Sequence, residues 1–225
     1  MNKAFGILTI LIVLIYLWLG FSMIVLRSPF LAMFVYYPVL CFGGGYILRT
    51  LIEKHGKSDI VKNKGYDNSF TPAFTLAILT TLGLWICMLV FRYGLIPPHA
   101  VSNGLNSLGL KGESYWLAGL MIIFLNPPCE EYFWRSGVFT LLKTRYSGKT
   151  ALHVSSLLFA GYHVLVVSTF FPLIWLPVIF GIVYLGGLMF AILFHRSGKL
   201  IQPIILHSVI NFNIIFMGWA LVSNY

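Results

Sequence analysis

The chain has 225 residues, of which 59% are hydrophobic, 16% aromatic and only 9% charged. Soluble domains carry about 25% charged residues, so the composition excludes a soluble domain, a secreted domain, a disordered tail and a soluble nucleic-acid binder. Fifteen Lys and Arg residues against six Asp and Glu residues give a formal charge of +9. In a membrane protein such an excess reflects topology or attraction to anionic lipid. The composition therefore predicts an all-α, polytopic membrane protein.

Seven apolar runs are long enough to form transmembrane helices, which need about 20 mostly apolar residues each. They cover residues 5–26, 30–52, 73–95, 114–142, 151–168, 173–194 and 201–222. The fourth run is broken at Pro127-Pro128, where Asn126 is expected to cap a new helix that begins with the two prolines. A count of eight spans stays open, because the broken run could form two short crossings.

The distribution of Lys and Arg predicts the orientation of this helical bundle. If the N-terminus is cytoplasmic and the chain crosses seven times, eleven Lys and Arg residues lie on the cytoplasmic side and three on the outer side. Cytoplasmic loops normally carry the excess of Lys and Arg. We therefore expect a cytoplasmic N-terminus. We also expect a single integral membrane domain, with three spans in residues 1–113 and four spans in residues 114–225.

Two adjacent carboxylates, Glu130 and Glu131, lie deep inside the fourth span. Because a charge at mid-bilayer costs several kcal/mol, an ionisable residue inside a membrane is a functional candidate. Glu131 and Arg135 are four residues apart on a helix and can form an ion pair. Glu130 points about 100° away from Glu131, which leaves its carboxylate the freer of the two. The alternative is a buried ionic lock of Glu130, Glu131 and Arg135 that only holds helices together.

Two of the six histidines, His163 and His207, lie well inside the fifth and seventh spans. His163 and Glu130 are each about 20 Å of helix from the same end of their spans, so the two side chains are expected at matching depth. Asn211 follows His207 by one helical turn on the same face. A buried carboxylate, imidazoles and a carboxamide suit amide hydrolysis. Zinc binding and proton-coupled transport are further uses of such residues.

Three segments resemble the three motifs of the CAAX protease and bacteriocin-processing (CPBP, or Abi) family, which read E-E-x-x-x-R, F-x-x-x-H and H-x-x-x-N/D. The segments are E130-E-Y-F-W-R135, F159-A-G-Y-H163 and H207-S-V-I-N211, in this order on successive apolar helices. The match covers roughly residues 117–213. The resemblance implies that residues 114–225 are the catalytic core of an intramembrane endopeptidase similar to the Ras-converting CAAX prenyl endopeptidase.

The resemblance also implies a role for each motif residue. Glu130 and His163 would activate the water, and His207 and Asn211 would stabilise the oxyanion. Glu131 and Arg135 would brace the pocket and Phe159 would pack beneath it, with no cofactor required. In a zinc-dependent alternative, Glu130, His163 and His207 would be the metal ligands.

The substrate and the location are less narrowly defined by the resemblance. We expect an enzyme of a prokaryotic cell membrane that cleaves a membrane protein, or a lipidated or peptide substrate, near the membrane. Prokaryotic relatives are implicated in bacteriocin maturation and immunity, in peptide signalling and in cleavage of C-terminal sorting tails, and the sequence does not select among these. A proton-coupled transporter, or an immunity membrane protein without protease activity, remains the alternative from another functional class.

Overall fold

The computed structural model describes residues 2–55, 69–92 and 98–222, and every regular element in these ranges is helical. The α-helices are α1 (Asn2–Gly20), α2 (Pro29–Val35), α3 (Gly44–Lys54), α4 (Thr71–Arg92), α5 (Pro98–Ser107), α6 (Gly112–Phe124), α7 (Asn126–Glu131), α8 (Thr140–Lys143), α9 (Gly148–Val167), α10 (Leu176–Ser197) and α11 (Ile201–Val222). Three segments are π-helical: Phe21–Val25 extends α1 to the end of the first span, Tyr36–Gly43 joins α2 to α3, and Tyr132–Phe139 joins α7 to α8. A short 3₁₀ turn at Leu173–Trp175 precedes α10.

Five helical segments are long and apolar enough to cross a membrane. They are Asn2–Val25, Pro29–Lys54, Gly148–Val167, Leu173–Ser197 and Ile201–Ala220, and they match the predicted first, second, fifth, sixth and seventh spans. A bent pair, Val101–Ser107 with Gly112–Lys143, brings the count to six. The polytopic helical architecture is therefore confirmed.

The predicted third span corresponds to α4. Its apolar part, Thr71–Ile86, is shorter than the five segments above and is not counted with them. The predicted end at residue 95 lies outside the described residues. Most of the basic loop that precedes α4, residues 56–68, also lies outside them. The count of seven spans stays a prediction.

The fourth span continues almost unbroken through its two prolines. The interruption is a single turn residue, Leu125, which keeps helical angles (φ −95°, ψ −38°). Pro127 and Pro128 sit in the first turn of α7, where a missing backbone N–H costs little. The predicted capping role of Asn126 is wrong, because the N-cap position is Leu125 and Asn126 is the first residue of α7. Its side chain accepts a hydrogen bond from another helix. The sharper bend, of 95°, lies before the span, between Ser107 and Gly112.

Close contact between the second and fourth spans depends on small residues. A Cβ at Gly45 would lie 2.8 Å from the Tyr132 ring and 3.2 Å from the backbone of Phe133. On the facing side, a Cβ at Gly137 would lie 3.2 Å from Leu48. Small residues let helices approach closely in membranes, where packing replaces the hydrophobic driving force. This contact brings the π-helical segment Tyr36–Gly43 against α7 and Tyr132–Phe139, which carry the first motif.

Helix α11 is the element that joins the motifs. It packs against α10 and α4 along its length and contacts α6 and α7. Helix α9 packs against α10 and against the π-helical segment Tyr132–Phe139. The three motif segments, which lie on α7 and this π-helical segment, on α9 and on α11, therefore meet in the interior of the bundle. π-Helical turns are often found at functional sites, and here one carries Arg135.

Candidate active site

An ion-paired chain of three side chains forms one half of the site. Arg135 Nε lies 3.0 Å from Glu131 Oε2, so the pair predicted from the four-residue spacing is present. Glu131 Oε1 lies 2.9 Å from Nδ1 of His207. Because a carboxylate oxygen accepts, His207 Nδ1 carries the proton of this hydrogen bond. Glu131 therefore links Arg135 to His207, a connection that the motif spacing did not predict.

Aromatic rings enclose the Arg135 guanidinium. Its Cζ lies 4.8 Å from the centre of the Phe159 ring and 5.5 Å from that of Phe190, and the whole side chain is buried. Nη1 and Nη2 have no hydrogen-bond partner among the described residues, so the rings and Glu131 are its stabilising neighbours. Phe159 also contacts the rings of both motif histidines, His163 at 4.6 Å and His207 at 6.1 Å, as its expected packing role requires.

The two oxygens of the Glu130 carboxylate lie in different environments. Oε1 accepts a hydrogen bond of 2.6 Å from the Tyr162 hydroxyl. Oε2 is buried without a hydrogen-bond partner in the part of the chain that the structure describes, and its nearest basic group is His207 Nε2 at 3.9 Å. Tyr162 therefore holds one oxygen of Glu130, and the other oxygen can accept a further hydrogen bond.

His163 contacts the same Tyr162 hydroxyl that bonds to Glu130. Its Nδ1 donates to the Phe159 carbonyl at 2.8 Å, and its Nε2 lies 3.3 Å from the Tyr162 hydroxyl. The sequence predicted that Glu130 and His163 lie at the same depth, and the structure links them through a tyrosine hydroxyl. Tyr162 stands next to His163 in the second motif, but tyrosines are common in this chain and nothing in the sequence singled it out.

The Asn211 amide is fully engaged in this structure. Its Nδ2 donates to the Ile122 carbonyl at 2.8 Å and to Asn126 Oδ1 at 3.0 Å. Both N–H groups, which the resemblance assigns to the oxyanion, are therefore bonded to the segment around the proline break. Asn126 is thus a partner of the third motif, a role hidden from the sequence because α7 and α11 are distant along the chain.

Residues of the second span complete the wall around Tyr162. The Tyr36 ring packs against the Tyr162 ring at 5.5 Å, and the Trp134 ring stacks on it at 5.6 Å with an interplanar angle of 9°. Tyr37, the neighbour of Tyr36, is also buried. The sequence singled out no functional residue in the first three spans, yet the ring of Tyr36, on the second span, contacts the site.

The described residues contain no group of three or more His, Cys, Asp or Glu side chains placed to hold a metal ion. In the zinc alternative the ligands would be Glu130, His163 and His207. Nδ1 of each imidazole bonds to protein, at the Phe159 carbonyl and at Glu131, a contact that ligating histidines also make. The dependence of the site on a metal therefore stays a prediction.

The comparison with protein families agrees with the motif assignment. Residues 112–213 match the family model described as "Type II CAAX prenyl endopeptidase Rce1-like", nearly the range over which the motifs were recognised. No curated protein and no solved structure matches the chain. The family match covers the helices that carry Glu130, Glu131, Arg135, His163 and His207, and it supports a multi-pass membrane protein acting as an endopeptidase. The match confirms the resemblance seen in the three motifs, and residues 112–213 are similar to this CAAX endopeptidase family.

Proposed function

We propose that the protein is an intramembrane endopeptidase that hydrolyses a peptide bond near the membrane, with Glu130 as the general base. The observation that carries this proposal is the Glu130 Oε2 atom, which is buried and has no hydrogen-bond partner among the described residues. A buried carboxylate oxygen left without a partner is costly. A water molecule that hydrogen-bonds to it would remove this cost and would be placed for deprotonation.

The proposed reaction begins when Glu130 Oε2 takes a proton from this water. The resulting hydroxide attacks the carbonyl carbon of the scissile bond and forms a tetrahedral oxyanion. When the intermediate collapses, the C–N bond breaks and the proton is returned to the leaving nitrogen. His163, which contacts Glu130 through Tyr162, is the proposed partner of Glu130 in water activation.

His207 is the proposed donor to the oxyanion. Its Nδ1 donates to Glu131, and Glu131 in turn pairs with Arg135. A carboxylate behind Nδ1 stabilises a positive charge on the ring, so Nε2 could carry a proton and donate to a developing oxyanion. Nε2 lies 3.9 Å from Glu130 Oε2, close enough for one tetrahedral centre to contact both. Asn211 is the second proposed donor, and it would have to release one of its two present acceptors.

The experiment that tests the function is substrate trapping in native membranes with Glu130→Gln. The wild-type protein should generate new peptide termini in the membrane proteome, and the variant should abolish them while retaining uncleaved substrate. Glu53→Gln is the matched control, because Glu53 forms an exposed ion pair with Arg49 at the end of α3. Proton-driven solute uptake by the reconstituted wild-type protein, with no cleavage products, would overturn the protease proposal.

A prenylated peptide is the proposed first substrate, because the matched family model describes a CAAX prenyl endopeptidase. The CAAX probe is an internally quenched, farnesylated peptide that ends in Cys, two aliphatic residues and Met. The same peptide without the farnesyl group separates recognition of the lipid from recognition of the peptide. Cleavage of both peptides at equal rates would argue for a sorting-tail or bacteriocin-type substrate.

Metal dependence is tested with the same probe. In the proposed glutamate mechanism, cleavage should survive extensive chelation. Activity that is lost with a chelator and restored by Zn²⁺ would favour the zinc alternative, since metal binding couples directly to ligand protonation and folding.

The proposed orientation, with a cytoplasmic N-terminus, is tested with reporter fusions. A reporter at Ser147 should be cytoplasmic, and reporters at Asn106 and at the C-terminus should be external. A cytoplasmic C-terminus would mean that the fourth span crosses differently from the predicted seven-span arrangement.

A further inference from the structure

The Tyr162 hydroxyl connects two of the proposed catalytic side chains. It lies 2.6 Å from Glu130 Oε1 and 3.3 Å from His163 Nε2. It comes from the second motif, at a position where the family pattern specifies no residue type. Its side chain is buried, with 2% of the residue's surface exposed.

The direction of each hydrogen bond follows from the chemistry of the partners. The Phe159 carbonyl can only accept, so His163 Nδ1 must carry a proton. In a neutral imidazole the other nitrogen, Nε2, then has no proton and is an acceptor. The single proton of the Tyr162 hydroxyl therefore has two competing acceptors. The ionised carboxylate is the stronger acceptor and the closer one, so the hydroxyl donates to Glu130.

We propose that Tyr162 is a positioning residue that holds Glu130 Oε1 toward α9 and leaves Oε2 for the water, an inference that rests on the proposed function. Once Oε2 has taken the proton of the water, the neutral carboxylic acid is a weaker acceptor. The Tyr162 hydroxyl then rotates its hydrogen bond to His163 Nε2, and it returns when Glu130 gives up the proton. Tyr162 itself stays protonated throughout.

The rings around Tyr162 make it suited to this role. Trp134 stacks on one face, and Tyr36 and Phe159 contact the ring at 5.5 and 5.7 Å. The ring is therefore fixed while its hydroxyl can rotate. Phenylalanine would preserve these ring contacts and remove only the hydroxyl.

The first test compares Tyr162→Phe with Tyr115→Phe on the CAAX probe. Tyr115 is a matched control, because it is buried and its hydroxyl also makes a hydrogen bond of 2.6 Å, to the Ile215 carbonyl. We expect Tyr162→Phe to lower kcat by about 10- to 100-fold, because a misplaced catalytic group costs up to about 100-fold. KM should change little, since no substrate contact is removed. Tyr115→Phe should leave both constants near the wild-type values.

The second test needs no substrate and distinguishes failure of this inference from failure of the proposed function. In a double-mutant cycle of Tyr162→Phe and Glu130→Met, the unfolding equilibrium constant is measured for each variant in detergent or bicelles. We expect the fold-change of the unfolding constant in the double variant to be smaller than the product of the two single fold-changes, by at least about twofold. Tyr162→Phe leaves Glu130 Oε1 without its hydrogen bond, and Glu130→Met leaves the Tyr162 hydroxyl with only the longer contact to His163. The double variant removes both groups of the Tyr162–Glu130 bond, so it does not incur both costs.

Each outcome decides between the two proposals. If the wild-type protein cleaves neither the probe nor any membrane protein, the proposed function is contradicted. If the double-mutant cycle is then still non-additive, the contact between Tyr162 and Glu130 is nevertheless supported. Wild-type kcat in Tyr162→Phe, or an additive cycle, would overturn the positioning role while leaving Glu130 as the base.

Discussion

Helix α11 contributes a residue to each of two buried polar clusters that differ in their hydrogen bonding. In the first, the Asn213 cluster, Asn213 Oδ1 accepts from Trp85 Nε1 at 2.9 Å. Its Nδ2 donates to Thr81 Oγ1 at 3.0 Å and to the Val209 carbonyl at 2.7 Å. The second, the glutamate cluster, consists of Glu130, Glu131, Arg135 and His207. Among the described residues it leaves Glu130 Oε2, Glu131 Oε2 and all three Arg135 nitrogens without hydrogen-bond partners, although Glu131 Oε2 and Arg135 Nε form an ion pair.

This difference separates a structural cluster from a functional one. A satisfied polar cluster inside a membrane holds helices together, and here it fastens α11 to α4. An unsatisfied buried carboxylate oxygen destabilises the fold and calls for a specific explanation. Each cluster has one member on α11, Asn213 in the first and His207 in the second, and both of these residues are buried. We interpret the unsatisfied Glu130 oxygen as the place where water reacts.

The largest effect should come from Glu130→Gln. The amide keeps the shape of the side chain and can still accept from Tyr162, but it cannot take a proton from water. We expect turnover of the CAAX probe to fall by about 100- to 10,000-fold, the contribution of a general base, with an unchanged melting temperature. If the melting temperature of Glu130→Gln falls together with its activity, Glu130 has a structural role instead.

Arg135→Ala should mainly reduce stability. It leaves the buried Glu131 carboxylate without its positive partner, and breaking such a pair by removing one side costs about 3–5 kcal/mol. Unfolding in detergent would measure the loss, with Arg49→Ala as the control for an exposed pair with Glu53, which should cost about 1 kcal/mol or less. Unchanged stability of Arg135→Ala with no activity would instead mean that Arg135 contacts the substrate.

Asn211 and Asn213 provide a direct test of the contrast, because they are two residues apart on α11. If Asn211 donates to the oxyanion, Asn211→Ala should lower kcat by about 100- to 1000-fold. Asn213→Ala should leave kcat unchanged and lower stability by about 0.6–1.7 kcal/mol, the range for polar contacts between membrane helices. Equal losses of kcat in both variants would show that the two clusters are not functionally distinct.

Two adjacent glycines of α10 should give the smallest effect. A Cβ at Gly187 would lie 3.0 Å from Phe159 Cδ1, whereas a Cβ at Gly186 would have no atom within 4 Å. Gly187→Ala should displace the ring that Arg135 stacks on and lower stability by about 1–3 kcal/mol. Gly186→Ala should be neutral or raise stability by up to about 1 kcal/mol through helix propensity. Thermal unfolding of the two variants measures the difference, and equal stabilities would place Phe159 outside the rigid part of the site.

The sequence by itself determined the membrane class, the helical segments and the positions of the motif residues. All three depend on properties of one helix at a time, namely the length of its apolar run and the cost of burying a charge in it. The Glu131–Arg135 pair was predictable for the same reason, since four residues make one helical turn. Helix capping also depends on nearby residues only, yet the capping role expected for Asn126 was wrong. The Asn126 side-chain oxygen instead accepts a hydrogen bond from Asn211 on α11.

The tertiary structure alone decided which oxygens and nitrogens meet. Tyr162 contacts Glu130 across 32 residues of chain, His207 contacts Glu131 across 76, and Asn211 contacts Asn126 across 85. Counting residues along a helix gives the depth of a side chain in the membrane, and so Glu130 and His163 could be placed at one level. It does not give the rotation of each helix about its own axis or the distance between helices. Those are set by packing of the whole bundle, including the small residues of the second and fourth spans, and they place a tyrosine hydroxyl between the two residues.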